Sequence, residues 1–245
     1  MKNNIVTLWG SPGSGKTLTS IKIAKCLAEH RKNVIIVSCD MDAPTMPLVF
    51  PDISDDSPSL GYLLELSSLS PISVLKHCVP FAKNKYISLL GYKSKENIKT
   101  YHQFDSYHAQ ELFSILKELA DFVVIDGISH IADNPLMIAA LSCADISLKI
   151  VNPGLKGLIY LQSQKPLLQN NQLGNQINIV NNVFPSQSTT LTSEFMGGYS
   201  YILPHVPFLI EQYDTGQLLD TVFGKNAKQY EMEIRYLTKE ITENI

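Results

Sequence analysis

The sequence predicts an α/β fold in three layers: a mostly parallel, twisted sheet with helices on both faces. Three observations lead there. Short apolar runs recur along the chain, apolar at successive positions rather than alternate ones, as strands buried on both faces require. Segments with apolar residues every three or four positions fall between them. Between the first run and the first such segment stands "GSPGSGKT", a glycine-rich turn of the kind that lies at the carboxyl ends of parallel strands.

Taken in order, Ile5–Trp9 ("IVTLW") reads as a buried strand. After Lys16, the residues Leu18, Ile21, Ala24 and Ala28 share one helical face. Val34–Val37 is the second strand and Tyr86–Leu90 the third. Tyr107–Leu119 reads as a helix that turns Leu112, Ile115, Leu116 and Leu119 inward. Phe122–Asp126, Ile146–Val151 and Ile177–Asn181 are further strands, and Tyr201–Pro204 is the last. Lys228–Glu243 reads as a closing helix that sets Met232, Ile234, Leu237 and Ile241 against the sheet. Its Glu231, Glu233, Glu240 and Glu243, without a Trp or Phe anchor, do not suit a membrane surface. Residues 51–85 and 93–105, including "PDISDDSPS" and "KSKENIKTYHQ", are irregular. They read as surface insertions on one domain spanning residues 1–245.

With 44 % hydrophobic and 18 % charged residues, the 245-residue chain has the composition of a globular domain with a sizeable core. A formal charge of −3 gives no basic field for nucleic acid, so DNA is not a favoured partner. The basic residues are 18 Lys and only two Arg, Arg31 and Arg235, and Arg is the usual clamp for phosphate. Cys26, Cys39, Cys78 and Cys143 lack CxC or CxxC spacing and the six His are scattered, which argues against a zinc or iron–sulfur site. No apolar run is long enough to span a bilayer, so stable membrane insertion is not expected. With reduced thiols and no signal peptide, a cytoplasmic location is expected.

Gly10 to Thr17 match G-x4-G-K-[ST], and the motif follows a strand and opens a helix, the context its chemistry needs. Gly10, Gly13 and Gly15 let the backbone curl, so that N–H groups from Ser14 to Leu18 face phosphate oxygens. The helix N-terminus adds a favourable dipole. Lys16 is expected to reach the β- and γ-phosphates, and the Thr17 hydroxyl to hold Mg²⁺. Two further strands end in acids: "VIIVSCDMD" carries Asp40 and Asp42, and "FVVID" carries Asp126 in the form of a Walker B acid that supports Mg²⁺.

These stretches, with "ADFVVIDGISHIADNPLMIAALSCADISLKIVNP", "INIVNNVFP" and "LPHVPF", resemble the ParA/MinD group of P-loop ATPases over nearly the whole chain. The long stretch is the most specific, for it looks like that group's switch II strand and loop, a helix and the next strand. Within the group, the CpaE-type pilus-assembly and localisation proteins look most similar. The resemblance implies a P-loop NTPase fold with Lys16, Asp40 and Asp126 as the catalytic set. Asp40 would orient the attacking water and serve the metal with Thr17 and Asp126; Asp42 is the fallback. Asn181 would read adenine, and Pro207 with its neighbours would form the loop that closes over the base. ATP is implied rather than GTP, and no N-K-x-D guanine motif is present. The implied role is an ATP-driven switch. It would work with a protein partner or a second copy of itself to position or assemble a pilus or secretion machine, a plasmid or a septum.

One feature departs from that group. Its loop is usually K-G-G-x-G-K-[ST], whose first lysine crosses a dimer interface to the partner's ATP. Here Ser11 and Pro12 follow Gly10, and Pro12 has no N–H to offer. Slow hydrolysis and weak ATP-driven dimerisation are therefore expected, unless a lysine such as Lys156 substitutes. G-x-P-G-x-G-K is the form of adenylate-kinase-like enzymes, so a small-molecule phosphotransferase is the alternative reading. Such enzymes hold two nucleotides with several arginines, and neither Arg here stands beside a motif. A third reading is a module that binds ATP with negligible turnover.

Overall fold

The computed structural model describes residues 3–50, 53–54, 56–102, 104–168 and 175–244; Pro51, Asp52, Asp55 and Gln103 of the two expected insertions lie outside them. The strands are β1 (Ile5–Gly10), β2 (Val34–Ser38), β3 (Val79–Pro80), β4 (Ile87–Leu90), β5 (Phe122–Asp126), β6 (Ile146–Val151), β7 (Asn175–Val183) and β8 (Tyr201–Pro204). They form one sheet in the order β3-β4-β2-β5-β1-β6-β7-β8. Every neighbouring pair is parallel except β3 with β4. The helices are α1 (Lys16–Glu29), α2 (Met46–Val49), α3 (Leu60–Leu64), α4 (Pro71–His77), α5 (Ser106–Leu119), α6 (Pro135–Ser142), α7 (Leu155–Leu168), α8 (Thr190–Met196), α9 (Pro207–Asp214) and α10 (Ala227–Asn244).

The three expected layers follow from the strand sequences. Side chains alternate across a strand, so an unbroken apolar run feeds both faces. Val6, Val34, Ile36, Phe122 and Val124 pack into one core with α1 and α10 residues such as Ile23, Leu27, Ile234 and Leu237. Ile5, Ile35, Val37, Val123 and Ile125 pack into the other with Leu60, Val74, Leu112, Leu116 and Ala139. Each fully buried Leu, Ile or Val contributes about 1.5–3 kcal/mol. The closing helix docks as expected, against α1 and β8, with Tyr230, Ile234, Leu237 and Ile241 buried. Met232, expected on that inner face, is 44 % exposed, because it falls outside the i, i+3, i+4 stripe they define.

The segment expected to be irregular insertion holds α3, α4 and β3. Ser59 caps α3 through Gly61 N, and Ser70 and Ser73 form a reciprocal capping box ahead of Pro71 on α4. The second stretch has no regular element among its described residues and is largely exposed, but Tyr101 and Glu96 tie it to the start of α3. Tyr101 lies edge-on to Tyr62 at 5.2 Å and sits where a Cβ on Gly61 would be. Ser59 Oγ donates to Glu96 Oε2 at 2.6 Å.

Candidate functional site

The strand order assembles the site. β5 lies between β1 and β2, and the register sets Leu8 and Ser38 beside Asp126. The P-loop that leaves β1, the acidic segment that leaves β2 and Asp126 at the end of β5 therefore share one end of the sheet. A cleft of about 1070 Å³ opens there, large enough for a nucleotide. It is lined by residues 12–18, 39–43 and 127–130, with Asn181, Asn182, His205 and Tyr213 on one side and Tyr92, Ile98, Tyr101 and Phe104 on the other.

Gly10 has φ +142°, and a Cβ there would collide with the Ile150 carbonyl, so only glycine lets the chain leave β1 against β6. Ser11 N then donates to Ile150 O at 3.1 Å. Gly15, at φ +83°, stands at the N-cap of α1, where no side chain caps the helix and no acid occupies the first turn. The first N–H groups of α1 are thus left for an anion.

Lys16 is buried and folds back onto its own loop. Its Nζ donates to Ser129 Oγ at 2.7 Å, to Ser11 O at 3.0 Å and to Gly10 O at 3.4 Å. Burial lowers its pKa, while Asp126 and Asp40 act in the opposite sense. Asp126 is buried, and desolvation pushes its pKa up to about 7 against the Thr17 hydroxyl and the Lys16 charge beside it. Thr45 Oγ1 donates to Asp126 Oδ2 at 3.3 Å, and Oδ1 has no hydrogen-bond partner among the described residues. A buried carboxylate oxygen without a partner, next to a threonine hydroxyl, suits a divalent cation that takes most of its ligands from phosphate and water. Asp40, half-buried, lines the cleft and accepts from Ala43 N at 2.8 Å; Asp42 also lines it and is exposed.

The remaining expected residues fall into two groups. Gly13, Ser14 and Leu18 line the cleft with Thr17, but Gly10 shapes the loop from behind. Asn181 is 4 % exposed and braces the P-loop: its Nδ2 donates to Ser14 O at 2.7 Å, where a Cβ on Gly15 would collide with it. Pro207 is the exposed first residue of α9, a position its fixed φ and missing N–H suit, and not part of a loop. Its neighbours His205, Val206, Leu209 and Ile210 line the cleft in its place. Ser129, Asn182 and His205 fall within the stretches that carry the resemblance but had no role assigned from the sequence; the fold brings them to the cleft. Ser11 is 1 % exposed, its hydroxyl turned into the protein without a partner among the described residues.

No protein-family model matches this sequence, and no curated protein matches it. The fold does have solved counterparts, and it is that of the ParA/MinD-like P-loop ATPases. The chain is similar to a ParA family ATPase from Chlorobium tepidum, with a TM-score of 0.79 and 14 % identity over 97 % of this chain and 98 % of that one. It is similar to the cell division ATPase MinD of Pyrococcus furiosus, with a TM-score of 0.77 and 17 % identity over 99 % and 100 %. A third is the septum site-determining protein MinD of Pyrococcus horikoshii, solved with Mg-ADP, with a TM-score of 0.74 and 16 % identity over 97 % and 95 %.

Proposed function

We propose that this chain is an Mg-ATP-binding P-loop ATPase that acts in the cytoplasm as a nucleotide-dependent switch, hydrolyses ATP slowly when alone, and positions or assembles a cellular machine with a partner. The observation that carries this reading is the convergence of Lys16, Thr17, Asp40 and Asp126 on the uncapped start of α1. The Mg-ADP complex of a MinD with the same fold supports it.

In this reading the backbone N–H groups of residues 13–18 hold the phosphates, and Lys16 exchanges its three oxygen partners for phosphate oxygens. Thr17 and Asp126 hold Mg²⁺, with Asp40 beside them. When bound, the ion draws charge from the phosphate oxygens and favours the ionised form of Asp126. Asp40 orients the water that attacks the γ-phosphate. Slow turnover follows from the supply of cations. Lys16 is the sole Lys or Arg among the described residues lining the cleft. Ser11 is short, uncharged and buried. A missing cation at a phosphoryl-transfer transition state costs orders of magnitude in rate, so a partner would supply the charge. The phosphotransferase alternative gains nothing from the fold, because neither Arg31 nor Arg235 lines the cleft and Arg235 pairs with Glu29 at 3.6 Å.

Phosphate release from Mg-ATP tests this directly. The wild type should release it slowly, and Lys16→Ala and Asp40→Ala should abolish the release. Release by both variants at the wild-type rate would place the chemistry elsewhere.

A further inference from the structure

Ser38 ends β2 and stands in register with Asp126 at the end of β5. On parallel neighbours, residues in register turn their side chains to the same face of the sheet. Thr45 returns to that point after the acidic segment 39–43 has passed along the cleft. The three side chains are sealed from solvent, with Thr45 and Asp126 1 % exposed and Ser38 0 %. Ser38 Oγ donates to Thr45 Oγ1 at 2.7 Å, and Thr45 Oγ1 donates to Asp126 Oδ2 at 3.3 Å. Thr45 is also the N-cap of α2, where a threonine hydroxyl ordinarily accepts from a backbone N–H of the first turn. It makes no such cap. Its hydroxyl is spent on the carboxylate instead. The torsion that turns an aspartate carboxyl is broad, so the group is not held by its own side chain. A neighbour that fixes Oδ2 settles where Oδ1 lies, and Oδ1 is the oxygen without a partner among the described residues.

We propose that Thr45, oriented by Ser38, is a positioning residue that presents Asp126 to the Mg²⁺ of the bound nucleotide. The Ser38 proton occupies one lone pair of Thr45 Oγ1 and so directs the Thr45 hydrogen to Oδ2. With Oδ2 held, Oδ1 is left for the ion or for a water in its shell. The same pair of hydroxyls ties the end of the acidic segment back to β5, so Asp126 and the segment that carries Asp40 keep one geometry. The inference rests on the nucleotide and metal reading above and adds two residues that touch neither nucleotide nor ion.

The test is calorimetric titration of the full chain with AMPPNP, a non-hydrolysable analogue of ATP, once with Mg²⁺ and once with excess EDTA. In the wild type Mg²⁺ should tighten binding by about tenfold or more. Thr45→Val keeps the shape and removes the hydroxyl, but it leaves the buried Ser38 donor without its acceptor. Ser38→Ala/Thr45→Val removes donor and acceptor together, which separates the loss of positioning from the cost of that orphan. In both variants the gain from Mg²⁺ should fall to about a third or less of the wild-type gain, while affinity in EDTA stays within about threefold of wild type. Thr45→Ser restores the hydroxyl and should recover the wild-type gain to within about twofold. An undiminished gain from Mg²⁺ in both valine variants, an equal loss of affinity with Mg²⁺ and with EDTA, or a failure of Thr45→Ser to recover the gain would overturn the positioning role. Two results in the wild type bear instead on the reading beneath it: no binding of AMPPNP would overturn the nucleotide site, and binding without any gain from Mg²⁺ would overturn the metal site.

Discussion

Lys16 holds three oxygens of its own surroundings, and two of them belong to the loop that would carry phosphate. A nucleotide must therefore offer better acceptors than two carbonyls and a hydroxyl, which charged phosphate oxygens do. The two acids differ in kind. Asp126 is sealed in the sheet beside Thr17, while Asp40 stands at the cleft wall in its own turn with Ala43. Asp40→Ala should leave Mg-ATP binding within about threefold of wild type and abolish turnover, whereas Asp126→Ala should weaken Mg²⁺-dependent binding by about tenfold or more. Paired calorimetry and phosphate-release assays check both. Loss of turnover in Asp42→Ala but not in Asp40→Ala would move the water-orienting role by two residues. The acids and the loop were legible in the sequence because strand, turn and side chain are local there. The Asn181–Ser14 bond was not, since it joins residues 167 positions apart.

Among the elements, α1 is tied to α9 by a buried lysine. Lys22 is 4 % exposed, and its Nζ donates to Gln212 Oε1 at 2.7 Å and to Asp220 O at 3.1 Å. Burial, with Lys25 adding to it, lowers its pKa to about 7. The unfolded chain, with an ordinary lysine, binds more protons than the folded one between pH 7 and about 10.4. Stability from this group therefore rises with pH across that window, and below it the cost of burying the ammonium is felt in full. Thermal unfolding of wild type and Lys22→Met should show the gap move in favour of wild type as pH goes from 7 to 10, by an amount on the order of a few kcal/mol. A gap that stays constant would mean that Lys22 titrates normally. Neither this link nor the short elements α3, α4 and β3 could be read from apolar periodicity, because two turns or fewer give too few positions to show a period. The reciprocal Ser70–Ser73 cap around Pro71 was the signal present for α4.

The molecule as a whole is a sheet whose order brings the ends of β1, β2 and β5 to one cleft. Its layers followed from strands apolar on both faces, which is a property of composition along each run. The aromatic wall from the 93–105 stretch did not, because Tyr101 and Phe104 acquire their place only through packing on α3 and its surroundings. Burial of Ser11 also bears on assembly, since no ammonium projects from that position toward a second copy. Sedimentation of Asp40→Ala with saturating Mg-ATP should show monomer or a weak dimer. A tight ATP-dependent dimer would mean that another residue, such as the exposed Lys156 at the start of α7, does that work. All of this depends on Mg-ATP occupying the P-loop. The most direct measurement is calorimetric titration of Mg-ATP into wild type and Lys16→Ala, with circular dichroism confirming that both are folded. The account predicts saturable binding to wild type and an affinity at least about tenfold lower in the variant, since a charge-assisted contact is worth about 1.5–3 kcal/mol. Equal affinity in a folded Lys16→Ala protein, or no binding to the wild type, would contradict it.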